Sequence, residues 1–347
     1  MDNLHDVIRQ MEDFGVVWGK RCRGRIERFT PGKKMTLGAG GKWFAKFYEY
    51  TPAGTANAGR RLMTGYFGSY KTGEFQSVQL SGERMSADQL AVLRAQREAQ
   101  AREAEARKLA DQQAAAESAA ELIQRAKPQG SSPYLARKGL SHDKGLRYLP
   151  DGTLVIPMIA YGKPPRIVGA QRILPDGKKL FGKDTEKRGA ACRFGVVVEG
   201  SPILVCEGVA TALSIREATH RRLPVFAAFD AGNLLPVLQR LRAAHRSHWL
   251  LVCADDDWQT RDHAGRPDNV GVRKAVEAAQ AVSRTSYTRP IFRVARAKAW
   301  TDFNDLHQAE GLDAVRRQLM RALSVGVDQG YWCVEQELRV GYGRSAA

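Results

Sequence analysis

Apolar positions recur at three different spacings along the chain, and each spacing predicts a different kind of element. Over residues 10–82, short alternating runs such as "KWFAKFYEY" and "GYFGSYK", punctuated by Gly and Pro, predict a small β-rich domain. Between Gly82 and Pro128 neither Gly nor Pro occurs and Ala, Glu, Gln, Arg and Leu dominate, which predicts one helix about 40 residues and roughly 60 Å long. Ser86 and Asp88 mark its start and "KPQGSSP" its end. Its apolar positions are too few and too small for a heptad seam, so it reads as a solvated connector rather than a dimerising coiled coil. From residue 150 onward, "TLVIPMI" and "RIVGAQRIL" read as strands. After Gly200, "PILVCEG", "LPVFAAFDAGN", "HWLLVCADDD" and "PIFRVARA" read as buried strands, each followed by a helix, the last being "TDFNDLHQAEGLDAVRRQLMRAL". Apolar strands alternating with helices imply an α/β fold with a parallel sheet covered on both faces.

In such sheets, binding and catalytic groups collect at the carboxyl ends of the strands. Glu207 directly follows the first of these strands, Asp230 the second, and Asp255, Asp256 and Asp257 the third, so five carboxylates are expected along one edge. A lone acid at such a place, like Asp230 beside Gly232 and Asn233, is explained equally well as a cap or turn residue. Several acids converging need a positive partner, because an uncompensated buried carboxylate costs several kcal/mol or takes up a proton. A basic side chain, a helix N-terminus or a divalent cation with oxygen ligands would each answer. Two Mg²⁺ ions would suit phosphoryl chemistry. Strand alternation puts Asp255 and Asp257 on one side and Asp256 on the other.

Charge adds a partner class. The 347 residues carry a formal charge of +17, with thirteen Lys/Arg against seven Asp/Glu in residues 1–80 and thirteen against six in 128–200. The excess lies upstream of the aspartates and fits a polyanion, most often nucleic acid. In the first region Trp43, Phe44, Tyr48, Tyr66 and Phe67 interleave with Lys33, Lys34, Lys42, Lys46, Arg60, Arg61 and Lys71, the mixture that base stacking beside phosphate neutralisation requires; the same aromatics would also serve as the core of a small sheet. "GAGGKW" lacks the Ser/Thr after Lys42 that a Walker A loop needs. Cys22, Cys192, Cys206, Cys253 and Cys333 are widely separated with no CxxC pair, which argues against a zinc ribbon or a disulfide framework, and "HRSH" (His245, His248) reads as a solvated loop. No zinc is expected. No apolar run reaches membrane-span length and the first fifteen residues mix acids with apolar groups, which predicts a cytoplasmic protein without membrane association.

"ILVCEGVATALS", followed about forty residues later by "CADDD", resembles the Toprim domain shared by bacterial primases, type IA and II topoisomerases and certain nucleases. The resemblance implies that Glu207, Asp255 and Asp257 are the catalytic, metal-binding acids, holding Mg²⁺ or Mn²⁺. Upstream, "PYLARKGLSHDKGLRY" and "LVIPMIAYGKPPRIVGAQRILPDGKKLFGKDTEKRG" resemble the basic region that precedes the Toprim in DnaG-type primases, with "DGKKL" standing where the family has a Pro-Lys pair. That match makes Arg137, Lys138, Arg172, Lys179 and Lys183 nucleotide or template contacts, while an exposed basic hairpin would satisfy the same residues. The whole order, including "DAGNL" and "TDFNDL" and covering nearly residues 40–325, resembles the Toprim primases of plasmids, phages and integrated elements. There Asp230, Asn233, Asp302 and Asp305 become possible auxiliary residues, although Asp302 is as readily a helix cap.

The implied organisation is a basic aromatic β-rich domain (1–82), a long helix (83–127), a basic α+β subdomain (128–200), a Toprim-type catalytic domain (201–326) and a tail (327–347). The implied activity is a DNA primase that joins NTPs on a single-stranded DNA template. The zinc ribbon of cellular primases has no counterpart and no helicase module follows, so template selection falls to the aromatic domain or a partner, and a replicative helicase is expected in trans. Two other classes use the same residues: a Toprim nuclease that cleaves without NTPs, and a non-catalytic single-stranded-DNA-binding protein of a mobile element.

Overall fold

The structure, a computed structural model, describes residues 1–18, 26–38, 41–52, 59–80, 87–162, 164–261 and 265–328. Cys22, Cys333, the Ser86 start signal and the tail from 329 onward lie outside these residues. The chain forms two compact units, Met1–Asp111 and Gln112–Ala347.

In the first unit, strands β1 (Lys34–Leu37), β2 (Trp43–Tyr50), β3 (Leu62–Ser69) and β4 (Phe75–Ser77) form an antiparallel sheet in that order. Alternation turns Leu37, Ala45, Phe47, Met63 and Phe67 inward, where they meet Val7 and Met11 of helix α1 (Leu4–Asp13). Helix α1 lies outside the elements expected from the patterning. Leu4, Val7, Ile8 and Met11 stand at i, i+3, i+4 and i+7 and give a clear helical period, but one that lasts only ten residues and precedes the β-rich run. Helix α2 (Ala87–Arg125) is the long helix expected from composition. It is exposed along most of its length, and Glu98–Arg102 and Glu103–Arg107 pair along its surface. In the first unit its Leu93 covers Tyr50 and Leu62, and Gln100 exchanges hydrogen bonds of 2.9 and 2.8 Å with the Glu49 backbone. In the second unit its Ala119, and Ala126 just after its end, pack on Val155 and Ala170.

The second unit opens with the short helix α3 (Pro133–Arg137) and is built on a nine-stranded sheet: β5 (Arg147–Tyr148), β6 (Leu154–Ala160), β7 (Arg166–Ile173), β8 (Lys179–Phe181), β9 (Ala190–Phe194), β10 (Ile203–Cys206), β11 (Val225–Ala227), β12 (Leu250–Cys253) and β13 (Thr285–Thr288). The path is β13-β12-β10-β11-β9-β6-β7-β8, with β5 on β6. β13, β12, β10 and β11 are parallel, and the remaining pairings are antiparallel. Because β9 pairs with both β11 and β6, one sheet runs through the expected boundary at 200/201.

Helices cover both faces of the parallel part, as the alternation of wholly apolar strands requires. Leu204, Cys206, Leu251 and Cys253 face α4 (Val209–Ala218), α7 (Phe303–Glu310) and α8 (Leu312–Asp328), whereas Ile203, Val205, Leu250 and Val252 face α5 (Leu234–Ala244) and α6 (Val270–Ala281). Cys206 and Cys253 are thus small core residues in register on adjacent strands.

One element differs from its expected place. The fourth parallel strand is "TSYT", Thr285–Thr288, and "PIFRVARA" is an irregular loop with Ile291 and Val294 exposed. An edge strand needs little apolar content, and Pro290 lacks the N–H a ladder would use, so the more apolar run gave a false signal.

Candidate active site

The strand ends and the segment 133–138 enclose a cleft of about 480 Å³, lined among others by Tyr134, Arg137, Lys138, Lys179, Glu207, Asp255 and Asp302. Glu207 follows β10 and takes a backbone hydrogen bond from Ala231. Burial, with Asp257 and Asp230 nearby, pushes its carboxyl up to about 7, and Lys179 pulls in the opposite direction. Asp255, after β12, is raised well above the ordinary range by burial and by Asp302, Glu207 and Asp257, again against Lys179. Asp302 is raised by burial and by Asp305. One oxygen of Glu207 and one of Asp255 are buried without any hydrogen-bond partner.

The three consecutive aspartates have three different fates. Asp255 enters the cleft. Asp256 is fully buried on the other side, accepting hydrogen bonds of 2.7 Å from both Arg289 and Arg296 and another from Asn269. Asp257 accepts 3.0 Å from the Gly271 N–H in the first turn of α6, so a helix N-terminus answers part of its charge. Gly271 is needed for that approach: a Cβ there would lie 2.2 Å from the Asp255 carbonyl oxygen.

The other expected residues divide by position. Lys179 and Lys138 line the cleft, and Lys138 lies 3.8 Å from Asp305. Arg137 also lines it and donates to the Pro175 carbonyl. Arg172 is exposed on β7 opposite Val155 and Leu180, while Lys179 pairs with Ile173; cross-strand partners share a face, so Arg172 lies on the face opposite Lys179. Lys183 is exposed beside Asp184 at 3.6 Å. Asp230 caps the short turn Ala231–Asn233 and pairs with Lys187, and buried Asn233 bridges Gly189, Ala190 and Ala228. Asp302 and Asp305 form a capping box on α7, which places Asp302 in the cleft wall while explaining the motif locally. Asn304 donates to the Lys138 carbonyl at 2.9 Å and to Ser214 at 3.0 Å, fastening the basic segment to α4.

Tyr134 and Phe229 line the cleft in addition to the residues expected from the sequence. The Tyr134 phenol, in the cleft wall, is pushed up to about 12 by burial and by Asp302. Phe229 holds a left-handed backbone (φ 73°) at the end of β11 and also lines the cleft. "PYLARKGL" carried the first only as a neighbour of basic residues; nothing local marks the second.

Residues 202–313 match the Toprim domain family. This segment is a Toprim domain. A 165-residue stretch covering 46% of the chain is 36% identical to the DNA primase TraC of Escherichia coli, of which it spans 15%. The chain is thus similar to a DNA primase over less than half of its own length and spans only a small part of that protein. Among solved structures, the primase fragment of the bacteriophage T7 primase-helicase shares 15% identity over 54% of this chain and 69% of its own, with a TM-score of 0.37. A T7 structure of the lagging-strand DNA polymerase with primase domains shares 17% identity over 58% of this chain and 91% of its own, with a TM-score of 0.34.

Toprim domains generally bind divalent cations such as Mg²⁺, and the donor set here fits one. Among the described residues no three His, Cys, Asp or Glu side chains gather tightly enough to complete a coordination sphere alone. Mg²⁺ does not need them to: it is held by one or two carboxylates with waters and substrate phosphates filling the rest, and the unpartnered oxygens of Glu207 and Asp255 are the donors such an ion would use.

A pH dependence follows from Glu207. An acid with a raised folded pKa destabilises the fold as pH climbs from its ordinary value, 4.5, towards about 7, and the full cost, on the order of 3 kcal/mol, is present above that. A cation that binds the ionised form removes the cost. In thermal melts, Mg²⁺ is expected to raise Tm over chelator by several degrees at pH 8 and hardly at all at pH 5.5, with Glu207→Gln abolishing most of the difference. An Mg²⁺ effect independent of pH would refute this assignment.

Proposed function

We propose that the chain is a DNA primase, a nucleotidyltransferase that synthesises short RNA primers on single-stranded DNA. The observation that supports this most strongly is the pairing, in one cleft of a Toprim domain, of two buried carboxylates having unpartnered oxygens with Lys179 on the adjoining basic strands. In the proposed reaction the 3′-hydroxyl of one nucleotide attacks the α-phosphate of the next and pyrophosphate leaves. Glu207 and Asp255 hold the cation, and Asp257, anchored by Gly271, adds negative charge beside them. Bound Mg²⁺ or Mn²⁺ would supply charge neutralisation at the reacting phosphate. Lys179, Lys138 and Arg137 face the acids from the cleft wall, where a triphosphate would bring its remaining negative charge. Arg172 and Lys183, outside that wall, are better placed for the template strand. A helicase would supply that strand.

The test incubates purified protein with mixed-sequence single-stranded DNA, labelled NTPs and Mg²⁺ or Mn²⁺, and resolves products on a gel. Short labelled oligomers that require both template and metal are expected. Shortened DNA without NTP incorporation would replace the proposal with a nuclease. DNA that is only shifted would replace it with a binding protein.

A further inference from the structure

We infer that the first unit carries a base-stacking platform for single-stranded DNA on the outer face of its four-stranded sheet. The inference rests on the primase reading above, which makes the occupant DNA.

The expected aromatic set divides across the sheet. Trp43 and Phe67 turn into the core against α1, whereas Phe44 and Tyr66 turn outward. Register places Lys34 opposite Lys46, Lys46 opposite Tyr66, and Phe75 opposite Gly68 on that same outer face. Helix α2 covers only one end of it, where Leu93 meets Tyr50 and Leu62 and Arg97 reaches Thr64. At the other end Phe44 lies 4.9 Å from Tyr70 and 6.3 Å from Tyr66, and Tyr66 lies 6.2 Å from Phe75, centroid to centroid. Tyr70 and Phe75, which the sequence pattern did not single out, are 51% and 67% exposed.

Two features distinguish this row from a leftover core edge. Lys34 places its ammonium over the Phe44 ring at 4.3 Å and over that of Tyr70 at 4.9 Å, so a cation stands at the row of rings, where it would meet the phosphate beside a stacked base. None of the strand residues sharing the face is acidic. Gly68 lies beneath the row, and a Cβ there would fall 2.6 Å from the Phe44 ring, so the side-chain-free position is what lets that ring approach β3.

The experiment measures anisotropy of labelled oligo(dT), an abasic oligodeoxynucleotide of equal length, and oligo(rU) with the full chain. Wild type is expected to bind oligo(dT) at least about fivefold tighter than the abasic strand, from stacking of one or more bases. That preference should vanish in the Tyr70→Ala/Phe75→Ala and Phe44→Leu/Tyr66→Leu variants. The first pair alters only exposed rings and so keeps the test independent of folding. Lys34→Gln should flatten the salt dependence by about 0.7 in the log–log slope. Equal binding of base-bearing and abasic strands, or variants that keep the preference, would overturn the platform; tighter binding of oligo(rU) would overturn its assignment to DNA. The readout is binding alone, so failure of primer synthesis would sink the primase reading without touching this result.

Discussion

In the Asp255→Asn protein, primer synthesis is expected to fall by at least about 100-fold while the protein melts several degrees higher in chelator. The two effects have one cause. Asp255 is buried among Glu207, Asp257 and Asp302, and one of its oxygens has no partner. Without a cation its charge either stays unanswered or is neutralised by proton uptake, and both states cost stability relative to the unfolded chain. The sign follows from a folded pKa above the ordinary value of 3.8: the penalty is absent below that value and grows as pH rises towards the folded pKa. The gain in Tm on replacement should therefore be larger at pH 8 than at pH 5. An amide of the same shape removes the charge and can donate to the neighbouring carboxylates, but it is a poor ligand for Mg²⁺. Mg²⁺ should accordingly narrow the Tm gap by stabilising wild type alone. Synthesis at the wild-type rate would remove Asp255 from the reaction, and a lower Tm in chelator would mean that its carboxylate is already satisfied by the protein.

How much of this site could be read from residue order depends on how local each cause is. The strand-end placement of Glu207 and Asp255 was legible because apolar runs ending in acids recur with a strand–helix period, and parallel sheets put such ends on one edge. The separation of Asp255 from Asp256 followed from alternation. Arg172 and Lys179 were not separable, since which face a hairpin residue takes depends on a register that Ile173 and Lys179 set across two strands. The displaced fourth strand had a similar origin: its pairing with β12 is a tertiary fact, and "TSYT" carries no apolar signal of its own. The aromatic face of the first unit was half legible. Interleaved rings and lysines announced it, but only the pairing of β2 with β3 and β4 showed which rings point outward.

Asp256, one residue from Asp255, should respond in the opposite direction. Asp256→Ala is expected to destabilise the protein by about 3–5 kcal/mol, on the order of 10 °C in Tm, because it leaves guanidiniums without their buried counter-charge. Burial would raise this carboxyl, yet hydrogen bonds from Arg296 and Asn269 and the charge of Arg289 hold it below the ordinary range. Its contribution is therefore present above that range and lost as pH falls through the lowered value. Arg296 is the more deeply held partner: it also donates to the Asp256 and Trp300 carbonyls at 2.9 and 2.8 Å and lies about 5 Å from the rings of Trp258 and Phe292. Arg289 is half exposed, so a double-mutant cycle of Asp256→Ala with Arg296→Ala should show a larger coupling than one with Arg289→Ala. The same clamp reaches the cleft, since the Asp256 N–H donates 2.7 Å to the Thr301 carbonyl, next to Asp302. Losing it should loosen the spacing between Asp255 and Asp302 and reduce synthesis, with partial recovery on cooling, whereas loss at Asp255 should not recover at any temperature. If Asp256→Ala melts like wild type, the loop 289–300 is not held by this carboxylate, and the contrast between neighbouring aspartates falls with it.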